Sequence, residues 1–456
     1  MPTSGFGVLP PVNFLSLDEV LGHELKQQAE SGHDVSALEP RVAEALAAAG
    51  RRVGPGGDEI LAQLLEEVES APPLAGWSYS EPSGLDEITA VLPPAAEPLA
   101  PVKRAELTDR LLGAWQGRCS GCCLGKPVEG ALGRAQIRRY LDLAGLAHLE
   151  GYFPVLDPMP EGIYFRECWV ETTAGRVHGS PRDDDTDYTM LNLYILESHG
   201  PGLSTDDVAR EWLDHIPLTQ TYTAERVAYR NLANGMLPLA AARHHNPYRE
   251  WIGAQIRADM FGYVYPGRPR AAAELAWREA ALSHTANGLY GAMWAAALIA
   301  ASFCAPSPRD ALVESLRHVP ARSRLHEAVS DVLDWHAKGW SWDQAMDAIE
   351  ANLGHYFWVH VLNNSAVIAA ALLWGEGNFS RTVGLAVEAG LDTDCTGATA
   401  GSVFGALYGN SSVPAPWTAP FGDRIRSSVS GFDNVAISEL ARRTLALAEK
   451  ANTHLV

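Results

Sequence analysis

Apolar residues recur three and four positions apart along most of this chain, which is the periodicity of a helix buried on one face. The pattern predicts helices over 17–29, 37–49 and 59–68, separated by Ser31-Gly32 and by Gly54-Pro55-Gly56-Gly57. Seven prolines then fall within residues 71–101, where missing backbone donors disfavour regular structure. This stretch is expected to connect, with Trp77 and Tyr79 packing onto the main body. From 103 onward alanine-rich helical stretches dominate, over 105–123, 186–198, 205–215, 223–242, 270–282, 286–304, 309–317, 324–337, 342–352, 364–374, 380–389, 396–408 and 434–450. Runs of alternating β-branched residues are nearly absent. The expected organisation is therefore all-α: a helical N-terminal extension over 1–70, a proline-rich connector over 71–102 and a compact multi-helix domain over 103–456. The exception is 146–180, rich in glycine, proline and aromatics, whose length suggests a functional lid.

Two helices carry a second pattern. Gly113, Gly117, Gly121 and Gly125 stand four apart, as do Gly397, Gly401, Gly405 and Gly409. Four residues is just over one turn, so each set forms a stripe along one face. Glycine weakens a helix by about 1 kcal/mol per site relative to alanine. Close approach of two central helices is the gain that offsets it.

Composition narrows the possibilities. Apolar residues make up 47% of the 456, enough for a large core. Thirty-five Lys and Arg against 55 Asp and Glu give a net charge of −20, which argues against a broad nucleic-acid-binding face. Residues 1–100 hold 16 acids and 4 bases, so −12 of that charge belongs to the head of the chain, where solvated helix surface accounts for it. The six cysteines form no disulfide framework. Cys119, Cys122 and Cys123 are expected as small core residues rather than zinc ligands, since no second Cys or His pair accompanies them. No run of about 18 apolar residues predicts a membrane span, and no basic segment leading into an apolar run predicts a secretory signal; a cytoplasmic location is expected.

The chemistry concentrates in two places. Asp183-Asp184-Asp185-Thr186-Asp187 precedes the helical stretch 186–198, and Asp392-Thr393-Asp394-Cys395 precedes the second glycine helix. Carboxylates favour helix N-termini, but adjacent like charges in both places point to a cation. Hard oxygen donors suit Mg²⁺ or Mn²⁺. Five carboxylates are more than one Mg²⁺ usually recruits, so two divalent cations are expected, Mg²⁺ before Mn²⁺.

Three blocks together resemble the ADP-ribosylglycohydrolase family, which includes the dinitrogenase-reductase-activating glycohydrolases and the ADP-ribosyl-acceptor hydrolases. They are Leu112–Gly117 with Gly121–Gly130, then Asp183-Asp184-Asp185-Thr186, then Leu391-Asp392-Thr393-Asp394-Cys395-Thr396-Gly397-Ala398, and they span about 110–410. The Asp-Thr-Asp-Cys form is similar to that of a bacterial branch. The resemblance implies an all-α fold with a dinuclear site in a cleft. Asp184 and Asp185 fall on one metal-binding pair and Asp392 and Asp394 on the other. Asp183 and Cys395 stand where the family has ligating threonines, and thiol is a poor partner for Mg²⁺. Glu129 falls on a glutamate near substrate and metals; Glu129 and Asp184 are the candidates to orient or deprotonate the attacking water. His284, Asn363 and Asn364 are candidate substrate-binding residues. The implied activity is metal-dependent hydrolysis of a glycosidic bond at ribose C1″ of an ADP-ribosylated protein or ADP-ribose derivative. The alternatives are a hydrolase of a small N-riboside or nucleotide metabolite, and a non-catalytic structural member of the fold. Nucleic acid and membrane are not expected as partners.

Overall fold

The computed structural model describes residues 13–49, 56–94, 98–99 and 102–452. Gly54, Pro55, Pro101 and the last four residues lie outside them. Among the described residues the chain is all-α, with one pair of two-residue antiparallel strands, Arg424–Ile425 and Val435–Ala436. Among the described residues no helix is long and apolar enough to cross a membrane.

The centre is the antiparallel pair Arg104–Gly125 and Thr393–Tyr408. Their glycine stripes face each other so closely that side chains are excluded. A Cβ on Gly117 would lie 2.1 Å from the Gly401 oxygen, and one on Gly121 would lie 1.9 Å from the Gly397 oxygen. At one end the Thr393 hydroxyl donates to the Gly125 carbonyl at 2.8 Å. The end of one helix is thereby fixed beside the start of the other.

Around this pair pack Ala286–Ser302 and Val361–Trp374, apolar on all sides and buried along almost their whole length. The latter begins three residues before the 364 expected from periodicity, because the His360 side chain caps it by accepting from the Leu362 amide at 3.3 Å. The stretch expected as one helix over 223–242 is two, Thr223–Ala233 and Pro238–Ala241. Gly235, at φ +83°, and Pro238 make the break. Arg134–Leu143 is a helix that periodicity does not reveal: only Ile137, Tyr140 and Leu141 bury, in a segment otherwise mostly polar.

The N-terminal helices Leu17–Glu30, Glu39–Ala49 and Gly56–Glu69 have an apolar cluster of their own, built on Val20, Leu21, Val42, Leu61, Leu65 and Val68. They are also bound to the main body by buried charge. Glu24 pairs with Arg249 at 2.6 Å. Glu250 is a hub: it accepts from Gln27 and Ser31 on the N-terminal side and from Asn287 and Arg324 on the other, all at 2.8 Å. Arg324 also holds Glu81 of the connector at 2.7 Å. Acids that read as solvated surface in the sequence are thus partly interior.

Burial opposes ionisation of Glu250, but Arg324, His360 and the hydrogen bonds from Asn287 and Ser31 together outweigh it and hold the carboxyl at about 2, below its ordinary 4.5. A depressed folded-state pKa stabilises fully above the unfolded value and is lost as pH falls through the folded one. Glu250→Gln is therefore expected to destabilise the protein at pH 6, with the gap to wild type narrowing from pH 4.5 towards 2. Urea melts across that range measure it.

Candidate active site at the ends of the glycine helices

Three chain segments converge where the glycine pair is pinned: Lys126–Gly130 leaving the first helix, Asp183–Asp185 entering Asp184–His199, and Asp392–Cys395 entering the second glycine helix. Two helix N-termini thus carry the carboxylates, where the backbone dipoles favour negative charge. Oxygens of Asp183, Asp184 and Asp185 lie within 4.8 Å of one another, as do ligand atoms of Asp392, Asp394 and Cys395. The Cys395 thiol donates to Asp185 Oδ2 at 3.2 Å, joining the two groups.

The turn before Asp392 is held in an uncommon shape. Gly390 and Leu391 are both left-handed, at φ +74° and +70°, a conformation that costs a non-glycine residue about 1–3 kcal/mol. Asn364 fixes the start of the helix beyond that turn. Its Oδ1 accepts from the Asp392 amide at 3.2 Å while its Nδ2 donates to the Trp358 and His360 carbonyls at 2.9 and 2.8 Å. Asn363 lies beside it, donating to the Phe357 carbonyl at 3.0 Å. His284 is apart from the acids. Its Nε2 accepts from the Ala254 amide at 3.3 Å and its Nδ1 meets the Ser283 hydroxyl at 2.8 Å, within the core network of Arg257, Glu225 and Glu279.

The acids differ in how they are satisfied. Asp183 Oδ1 accepts from the Asp185 amide at 2.9 Å and Oδ2 pairs with Lys126. Asp185 Oδ1 pairs with Arg118 at 3.2 Å, and Arg118 also holds Asp259 at 2.9 Å. Asp187 is turned aside, bound by Arg182 at 2.7 Å and the Ser427 hydroxyl at 2.6 Å. By contrast, no hydrogen bond reaches the Asp184 carboxylate among the described residues, and Asp392 Oδ1 is buried without a partner. These surroundings set the electrostatics. Burial raises the Asp183 carboxyl, but Lys126 overrides it and holds the group at about 2. Burial and the Asp183 charge push Asp184 up to about 8, and burial and Asp394 push Asp392 well above the carboxylate range. Burial and neighbouring acids keep Cys395 a neutral thiol. Carboxylate oxygens without donors, in excess of local positive charge, are a donor set suited to a hard divalent cation.

Glu129 stands at the rim, paired with Arg166 and beside Asp394. Arg166 comes from the long 146–180 segment, which is pinned across the site: its amide donates to the Pro127 carbonyl at 2.8 Å, and Cys168 Sγ donates to the Lys126 carbonyl at 3.4 Å. Trp358 covers Gly130, where an added Cβ would lie 2.9 Å from the ring. Sequence reasoning misses Lys126, Arg166 and Arg118. For one of them a signal exists: Arg118 is the sole charge on a helix stretch from 111 to 125 that is otherwise mostly apolar or small.

Known proteins share this arrangement's sequence. Residues 103–453 match the ADP-ribosylglycohydrolase family. A solved structure described as an ADP-ribosylglycohydrolase-related protein complex is similar at 20% identity over 76% of this chain and 100% of its own, with a TM-score of 0.44. No curated protein matches. The chain belongs to the ADP-ribosylglycohydrolase family and is a glycohydrolase.

Proposed function

We propose that this enzyme hydrolyses the glycosidic bond at ribose C1″ of an ADP-ribosylated protein or an ADP-ribose derivative, with divalent-metal assistance at the acid cluster. The observation that carries the reading is the buried, unpartnered Asp392 Oδ1 within the acid cluster, in a chain of this family. Asp184, Asp392 and Asp394 would hold the metal, which when bound supplies Lewis-acid stabilisation of developing charge. Glu129 lies at the rim with its carboxylate fixed by Arg166, the place for a base that orients water and takes its proton. Asp183 and Asp185 hold the entering turn rigid. Asn364 acts through Asp392: Asn364→Ala is expected to weaken Mn²⁺ binding about 10–100-fold, the usual cost of losing an outer-shell partner, while the chain stays folded, as a titration with a parallel circular-dichroism melt would record.

A narrower substrate, a small N-riboside or nucleotide, is favoured by one feature. Phe14 and Leu15 pack against an apolar cluster that includes Cys395, a neighbour of the acids. ADP-ribosyl-arginine, ADP-ribosyl-serine and free nucleosides assayed side by side with added Mg²⁺ or Mn²⁺ separate the readings. Release from the ADP-ribosyl compounds supports the first, and release from nucleosides alone the second. Metal-independent turnover overturns the metal-assisted mechanism.

A further inference from the structure

The Lys126 ammonium lies within the acid cluster, paired with Asp183. We infer that Lys126 is a built-in cation, and that the site therefore binds one divalent metal ion per chain rather than two. This rests on the metal-assisted reading of the site. Lys126 extends from the end of the first glycine helix into the cluster and pairs with Asp183, its side chain only 14% exposed and that of Asp183 only 4%. With the second Asp183 oxygen taken by the Asp185 amide, that carboxylate has no unmet oxygen. Asp185 is engaged in the same way, one oxygen by Arg118 and the other by the Cys395 thiol. Three of the five carboxylates remain: Asp184, which no hydrogen bond reaches among the described residues, Asp392 with its unpartnered Oδ1, and Asp394, whose Oδ1 accepts from the Cys395 amide at 3.1 Å.

Lys126 neutralises Asp183, and its ammonium beside the remaining carboxylates repels a second dication. Three carboxylates from two segments are also the kind of oxygen set that a single Mg²⁺ or Mn²⁺ accepts while keeping waters for its other positions.

Native mass spectrometry of the intact protein titrated with Mn²⁺, with electron paramagnetic resonance on the same samples, tests the inference. Wild type is expected to saturate at one ion per chain with a mononuclear six-line spectrum. Lys126→Met, which removes the ammonium and frees the Asp183 oxygen, is expected to take up two, with spin coupling between them. Lys126→Arg keeps the charge and is expected to stay at one. Two ions on wild type, or one ion still on folded Lys126→Met, would overturn the built-in cation and leave the metal-assisted reading standing. No bound ion on wild type would overturn both. The wild-type count decides the stoichiometry even if Lys126→Met does not fold.

Discussion

Asp392→Asn is expected to lower turnover about a thousandfold or more while leaving the melting curve close to that of wild type. The substitution keeps the shape of the side chain and the backbone amide that Asn364 holds. It removes charge from a buried oxygen that no protein donor satisfies. Metal stabilisation of a transition state is worth several kcal/mol, and each tenfold in rate is about 1.4 kcal/mol, so losing most of it gives three decades. Stability should not fall, because the native carboxylate sits among other acids and its charge is unfavourable there without a cation. Metal-saturated kinetics beside thermal melts would measure both. Turnover within tenfold of wild type would remove Asp392 from the mechanism.

Gly121→Ala is expected to be the most damaging single methyl in the protein. The new Cβ would lie 1.9 Å from a backbone oxygen of the facing helix, with no flexible side chain to yield. Overpacking costs about 1–3 kcal/mol where side chains can adjust; here only separation of the two helices relieves it, so about 3 kcal/mol or more is expected. Separation would also shift Asp392 and Asp394 away from Lys126 and Glu129, so Mn²⁺ affinity should fall with stability. Gly151→Ala is the control: nothing lies within 4 Å of its added Cβ, and surface changes of that kind stay within about 0.5 kcal/mol. Equal urea midpoints for the two variants would show that the helices do not meet at Gly121.

The glycine helices and the acids are legible in the sequence because their signals are local. Four glycines at one-turn spacing demand a close neighbour, and three consecutive aspartates before a helix demand a counter-charge, wherever the rest of the chain goes. What sequence cannot supply is the identity of those counter-charges. Lys126 and Asp183 are 57 residues apart, and Arg118 and Asp185 are 67 apart. Such pairs exist only after folding, and nothing in the Lys126 neighbourhood marks it as interior. The head of the chain shows the same limit. Glu24 has the local setting of any surface helix acid, yet it is buried against Arg249, 225 residues away. His284 and Asn363 show the reverse: polar residues near helix starts whose hydrogen bonds are spent on backbone and neighbouring core side chains.

The pairing of the glycine helices also sets a schedule for making this enzyme. Gly125 and Thr393, which close the end of the pair, are 268 residues apart. At about 5–20 residues per second of synthesis, the first helix leaves the ribosome roughly 13–54 s before its partner exists. No active site can form in that interval, because Asp392 and Asp394 are not yet made. The waiting face is itself glycine and backbone, which water solvates, so the stripe offers a nascent chain little apolar surface through which to aggregate. The same residues that let two helices touch in the finished protein leave that one face of the first with nothing to aggregate through, while Leu107, Leu111, Trp115 and Leu124 of the same helix still await their partners.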